Sequence, residues 1–300
     1  MDARCREFDE LPPGEFRHSN LEDLIAWAAH PAAYLFKHNL NVHFTRPEEI
    51  SESESITQCS GLERYRTRSI INTFEKNCVD YESVYMLMKN GNLLPPGDAG
   101  FAEFIKEYRF LEELPISWRR EFYAQERMAL SFDIGNDEKK MTVSGMFECS
   151  PSLDKQKIIS FGSLKHKNYI NAFMRHLALC AVSDAPEVET SLCYCEKGKW
   201  IKRVWNRNIE GFWEDFMQKR ISFDKRVPAV FPAAMFELEN SSGLKRQEKL
   251  EQLTDICADE RSSDPVLMRC FAPDAMNNEE LQEEFFSFAK LFYQLEPEEV

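Results

Sequence analysis

Apolar positions follow two different spacings along this chain, and the change between them divides it near residue 126. In the first part the spacing is helical. Ser19-Asn20-Leu21-Glu22 reads as a capping box, with Ser19 as N-cap and Glu22 reaching back. Leu21, Leu24, Ile25 and Ala28 follow on one face, and Pro31 stops the run just after His30. A short helix is expected over Ala33 to Asn39. Leu62, Tyr65, Ile71 and Phe74, then Tyr81 to Met88, then Phe101, Phe104, Ile105, Tyr108 and Leu111 mark further helices. The last group is expected in the core, after a turn at Leu94-Pro95-Pro96-Gly97. Between them, Thr45 to Ser60 is acidic and serine-rich and reads as a surface loop.

From about residue 128 the period becomes two. Leu130, Phe132 and Ile134 alternate with polar residues, Gly135-Asn136-Asp137 turns the chain, and Met141 and Val143 alternate again, as in a β-hairpin. Lys157 to Phe161 reads as a third, buried strand. Ile170, Phe173, Met174, Leu177, Ala178 and Ala181 then keep a strict helical spacing. A second hairpin is expected over Ser191 to Trp205, turning at Glu196-Lys197-Gly198-Lys199. Helices close the chain around Phe212 to Lys219 and Glu279 to Leu295. A proline-punctuated loop from Val227 to Pro232 and a charged stretch from Asn240 to Asp264 lie between them. Strands with a packed helix give an α/β fold with a helical amino-terminal portion. The expected division is a flexible lead-in over 1–18, a helical part over about 19–125, and a sheet with packing helices over about 126–300.

Composition narrows the function. No apolar run approaches the roughly 18 residues a membrane span needs, and the acidic start lacks the apolar core of a signal peptide. Nine cysteines without such a signal imply free thiols in a reducing cytoplasm. The net charge of −14 argues against a domain that grips DNA by itself, because that affinity comes from neutralised phosphates. Any DNA contact would be local or shared with a partner. The charge is uneven: Glu196 to Arg207 holds Lys197, Lys199, Lys202, Arg203 and Arg207 among Tyr194, Trp200 and Trp205. Cations interleaved with aromatics suit single-stranded DNA and equally suit a partner interface; a plain solvated hairpin is the third reading. No Gly-rich phosphate loop is present, so ATP is not expected. Cys193-Tyr194-Cys195 alternates as one face of a strand does and has no second cysteine pair at finger spacing, so zinc is not expected either.

Several stretches resemble one known family. Ser19-Asn20-Leu21-Glu22-Asp23-Leu24-Ile25-Ala26-Trp27 with His30-Pro31-Ala32-Ala33-Tyr34-Leu35-Phe36-Lys37 is similar to the helix pair opening the nuclease-like domain of RecC. Leu62-Glu63-Arg64-Tyr65 after the acidic loop, and later His176-Leu177-Ala178-Leu179-Cys180-Ala181, keep the family's order. The resemblance runs from about Ser19 to the end and weakens after Trp205. It implies that the chain corresponds to the closing part of a longer subunit. It also implies a mixed sheet flanked by helices of the PD-(D/E)xK nuclease type, acting in double-strand break repair beside RecB-like and RecD-like subunits, the amino-terminal part of RecC, and DNA.

In active members of that nuclease type, Gly-x-x-Asp on one strand and Asp-Tyr-Lys on the next hold Mg²⁺ and position water, with a Gln on the packing helix. By the resemblance, Gly145-Met146-Phe147-Glu148 supplies the first element, with Glu148 for Asp. Ser160 then stands at the metal Asp and Gly162 at the lysine, with Arg175 near the place of the Gln. The expected site is vestigial, holding no metal and no cofactor. The rival is an active Mg²⁺-dependent nuclease with a site rearranged around Glu148, Asp154, Lys165 and His166. In related iron–sulfur nucleases a cysteine precedes the early proline; here His30 does, so His30 is expected to serve as a helix-terminal hydrogen bonder. Phe285, Phe288 and Phe292 share a helical face and should pack inward, leaving Phe286 for a partner or for a second internal layer; with Trp200 and Trp205 it is expected to form an exposed aromatic patch for a partner.

Overall fold

The computed structural model describes residues 18–43, 61–135, 141–223, 226–240, 246–295 and 297–299. The lead-in through residue 17, the whole serine–glutamate loop and the tip of the first hairpin lie outside them.

The fold is mixed α/β, with two mixed sheets flanked by helices. Alternation over β2 (Glu126–Ile134) and β3 (Met141–Cys149) produces the expected antiparallel pair, and β1 (His18–Asn20) adds in parallel to the other edge of β3. The second sheet runs β4 (Lys155–Ser160), β5 (Glu189–Glu196), β6 (Lys199–Trp205), β7 (Glu298–Glu299), with only the first pair parallel. The β5–β6 turn falls where expected. Lys197 (φ 51°) and Gly198 (φ 78°) both take the left-handed backbone that a two-residue hairpin turn requires.

One expectation needs correction: the first three strands do not share one sheet. After Ser150 N donates to Lys155 O (2.8 Å), β4 leaves β3 and the seam is filled by side-chain amides. Gln125 Nε2 donates to Lys157 O (2.9 Å) while its Oε1 accepts from Lys157 N. Gln156 Nε2 donates to Glu148 O (3.0 Å). A glutamine amide carries the same donor and acceptor as a peptide, so buried Gln125 replaces one rung of a ladder.

α1 (Leu21–Ala29) and α7 (His166–Val182) cross this framework. The predicted faces are buried, namely Leu21, Leu24, Ile25 and Ala28 in the first and Ile170, Phe173, Met174, Leu177 and Ala178 in the second. Ala181, at the end of the second stripe, is exposed. The N-cap of α1 is Asn20, whose side chain accepts from Glu22 N (2.9 Å). Ser19 is drawn into β1 instead, because strand pairing with β3 claims its backbone. The short second helix arrives as α2 (Pro31–Tyr34) followed by a π-helical turn (Leu35–Asn39).

A smaller core forms between α3 (Gly61–Lys76), α4 (Tyr81–Asn90) and α5 (Asp98–Glu112), built on Ile71, Val84, Met88, Phe104 and Leu111. Phe161, just past β4, closes it. Of the aromatics expected there, Phe104 is fully buried and Tyr108 partly, but Phe101 is 43% exposed. Arg68 clamps the junction: its guanidinium pairs with buried Glu107, donates to Phe161 O (2.7 Å) and lies 3.6 Å over the Phe110 ring.

Four helices escaped the sequence reading: α6 (Ile116–Tyr123), and after α8 (Phe212–Ser222), α9 (Pro232–Asn240), α10 (Arg246–Ser263) and the single turn of α11 (Leu267–Cys270). α10 has no broad apolar stripe to reveal it. α9 is capped in trans, because Glu260 accepts from Ala233 N (2.9 Å) and Ala234 N (2.8 Å). α11 (Leu267–Cys270) and α12 (Glu279–Tyr293) complete the fold, and Phe285, Phe288 and Phe292 pack inward as expected. Among the described residues no helix is long and apolar enough to cross a membrane.

Gly145 lets α1 approach β3, because a Cβ there would stand 2.8 Å from Leu21 Cβ. Gly145→Ala should therefore cost about 1–3 kcal/mol by overpacking. Gly162→Ala, where a Cβ meets nothing within 4 Å, should change stability by less than about 0.5 kcal/mol. Urea denaturation of the two variants beside the parent checks both.

Candidate functional site

Where β4 parts from β3 a cleft of about 510 Å³ opens along the strand edge. Glu148 enters it from β3, because alternation sends Phe147 into the core and Glu148 outward. Ile158 and Ile159 line it from β4, Asn171 and Arg175 from α7, and Glu22 from α1. Ser160 and Gly162 do not line it. Ser160 is buried and accepts a hydrogen bond from Asn168 Nδ2 at the start of α7. Gly162 lies past the strand end, where its carbonyl accepts from Cys195 N (3.2 Å). Thus Glu148 is brought to the cleft without the two positions paired with it from the sequence.

A second carboxylate is present that the sequence reading used only as a cap: Glu22. Arg175 holds it in an ion pair while also donating to Met146 O (3.0 Å) and Asn171 Oδ1 (3.0 Å). Lys76 Nζ stands 3.5 Å from Glu148 Oε2. Each carboxylate of the cleft therefore has a protein cation where a metal ion would compete. Among the described residues no group of three or more His, Cys, Asp and Glu is placed to hold one metal ion.

The rearranged site built on Glu148, Asp154, Lys165 and His166 is not assembled, since none of the last three lines the cleft. Asp154 serves the β3–β4 turn. It accepts from Ser150 Oγ (2.6 Å) and Ser152 Oγ, and these bonds hold its carboxyl below the usual range. Lys165 is the residue preceding α7. His166 packs toward the end of α1, and burial, with His30 nearby and Lys167 and Lys165 adding to it, pushes its ring down to about 4. His30 acts as a helix-terminal hydrogen bonder, its Nδ1 accepting from Ala33 N (3.1 Å). Its Nε2 also lies 3.0 Å from Asp264 Oδ2.

Lining the same cleft from β4, buried Lys157 sits 2.9 Å from Glu121 and 2.8 Å from Glu189. Burial pushes Glu189 up, but hydrogen bonds from Lys157 and Ser191 outweigh it and hold the carboxyl at about 2. Cys193, on the same face of β5 as Cys195, has its thiol pushed up to about 12 by burial and is chemically quiet.

The basic hairpin has the expected strands but not the expected aromatic surface. Lys197, Lys199 and Arg207 are exposed. Lys202 lies 3.7 Å from Glu189, and Arg203 lies 3.5 Å from Glu299. Trp205 and Tyr194 are each 1% exposed, and half-buried Trp200 packs on Phe110 with ring centres 5.0 Å apart. Phe286 is half-buried, edge-on to Phe285. The exposed aromatic patch placed on Trp200, Trp205 and Phe286 is therefore absent, because the two cores absorb these rings.

A family model of the RecC C-terminal domain matches residues 17–262. The chain belongs to the RecC C-terminal domain family. No curated protein matches it in sequence. The RecC match takes in Glu22, Glu148, Arg175 and the whole basic hairpin, whereas α12 and β7 lie beyond it. RecC proteins belong to the exodeoxyribonuclease V complex, in which they act with other subunits and DNA.

Two histidines, half-buried His166 and buried His176, set the acid response. Burial lowers His166 to about 4 and lowers His176, which is held between Thr190 Oγ1 (3.1 Å) and Arg207 O (2.9 Å). Below about pH 6.5 the unfolded chain binds protons that the folded chain refuses, so stability falls as pH drops from there toward 4. Glu189 and Asp264, both held at about 2, add a second loss as pH falls from about 4 toward 2. Urea midpoints at neutral and mildly acid pH should fall accordingly, and His166→Gln should flatten the first part of the decline.

Proposed function

We propose that this chain is the non-catalytic, nuclease-like domain of a RecC-type subunit in a cytoplasmic RecBCD-type helicase–nuclease. There it scaffolds RecB-like and RecD-like partners and guides DNA during double-strand break repair and recombination. Membership of the RecC C-terminal domain family supports the complex. The observation that carries the lack of catalysis is the state of the cleft: two carboxylates, Glu22 and Glu148, each tied to a cation, with Ile158 and Ile159 across the gap. Mg²⁺ wants several hard oxygen ligands and sheds its water reluctantly. Lys76 and Arg175 already neutralise the only two carboxylates among the described residues lining the cleft, which leaves little to attract the ion. The net charge of −14 fits a domain whose DNA contacts are shared with partners.

The purified chain should show no Mg²⁺- or Mn²⁺-dependent cleavage of labelled single- or double-stranded DNA, and Glu148→Ala should change nothing. Metal-dependent cleavage by the parent that vanishes in Glu148→Ala would overturn the reading. Fluorescence anisotropy should give a DNA dissociation constant no tighter than about micromolar at physiological salt.

A further inference from the structure

A strand turns the N–H and C=O of alternate residues to the same edge. On the edge of β4 away from β5, two of these residues are met by groups that stand in for a strand. Lys155 N donates to Ser150 Oγ (3.0 Å), and Lys155 O accepts from Ser150 N (2.8 Å). Lys157 gives both its groups to the amide of Gln125. Beyond the strand end, Phe161 O accepts from Arg68 (2.7 Å). Ile159 is the member of this series left over. Its pairing with Cys193 puts β5 on the opposite edge, so its N–H and C=O turn toward the cleft that it lines. Neither has a hydrogen-bond partner among the described residues. Gln156, which lines the same cleft and is 1% exposed, gives its nitrogen to Glu148 O. Its Oε1 meets no partner among the described residues either.

Gln125 shows what such a backbone edge accepts, namely a flat group carrying a donor beside an acceptor. An extended polypeptide would gain a single rung at Ile159, because Gln125 and Arg68 close the edge on either side, so strand addition gains little here. An unpaired nucleobase carries the same adjacent donor and acceptor on its pairing edge, and it stacks on aromatic rings. The cleft supplies the rings. Tyr65 is 41% exposed, with its ring centre 5.9 Å from that of Phe161, and Phe122 lines the wall from α6. The volume of about 510 Å³ falls within the roughly 300–1,000 Å³ usual for small-ligand sites. We infer that the cleft takes one unpaired nucleobase, its pairing edge hydrogen-bonded to the Ile159 backbone and its face against Tyr65. A base inside a duplex has that edge occupied and is excluded. The inference rests on the non-catalytic reading of the cleft, since Glu22 and Glu148 keep their cations and no bond is cleaved.

The test uses the full chain, isotopically labelled on isoleucine nitrogen alone, with the Ile159 amide signal identified by its loss in Ile159→Val. The probes are adenosine monophosphate, its analogue dimethylated on the exocyclic nitrogen, a short oligothymidylate, a blunt DNA duplex and N-acetylglutamine methylamide. Adenosine monophosphate should move the Ile159 signal in a saturable way. The dimethylated analogue, which lacks the donor, should bind at least about fivefold more weakly. Tyr65→Ala should weaken binding at least about fivefold by removing the stacking ring, with unchanged circular dichroism confirming the fold. Saturation by the oligothymidylate at lower concentration than by the monophosphate would make a single strand the source of the base, and the reverse order a free nucleotide. Equal shifts from the dimethylated analogue or from the duplex would overturn the inference, as would a shift from the glutamine amide alone or from no probe. Loss of base binding would leave the absence of cleavage untouched, whereas Mg²⁺-dependent cleavage of DNA would strike the proposed function first, so the two fail separately.

Discussion

The structure turns on Lys157, where one residue must satisfy a backbone donor, a backbone acceptor and an ammonium group inside the protein. Its N–H and C=O go to the amide of Gln125, and its ammonium goes to Glu121 and Glu189. An isolated charge at that depth would be driven to neutrality; here the two carboxylates outweigh burial and raise the lysine above its ordinary range. Because Gln125 stands in for a neighbouring strand, Lys157 can leave β3 with its backbone N–H and C=O both satisfied. The parting of the sheets opens the cleft, and β4 is then free to lead through α7 to β5. Removing Glu189 or Gln125 would leave buried groups unmet, and such groups cost more than the bonds themselves contribute.

In the cleft the charge of each lining carboxylate is met by a cation from a neighbouring helix, Glu22 by Arg175 and Glu148 by Lys76. Arg175 also holds Met146 O, so α7 is tied to β3 across the opening. These ion pairs fasten one element to another.

Much of this was legible in the sequence where period alone decides. The faces of α1, α7 and α12, both hairpins and the left-handed turn at Lys197-Gly198 follow from spacing and turn chemistry. What escaped has a common physical cause: it depends on a partner distant in the chain. α9 needs Glu260 to cap it, and α10 buries Leu253 and Cys257 against other helices while its charges surround the rest. Ser19 loses its capping role to a strand that begins 122 residues later. The split between the sheets depends on Gln125 and Gln156, whose polar side chains look like surface residues until they are found acting as backbone. The pairing of Glu22 with Arg175 across 153 residues carries no local signal at all. The aromatic hairpin misled for the opposite reason. Its rings were real anchors, but they hold the protein to itself.

Phe161 has a consequence for anyone wishing to divide the molecule. The helices α3 to α5 look like a separable lobe in the linear sequence, ending just before the first long strand. Yet the floor of their core is Phe161, with Ile159 and Trp200 packed beside it, all three supplied by the sheet, and Arg68 fastens that floor to Glu107. A fragment cut between the helical and sheet portions would carry an open apolar face, and Arg68 would lose the Phe161 carbonyl it donates to. The two portions share a core, and a boundary drawn from composition would pass through the middle of it.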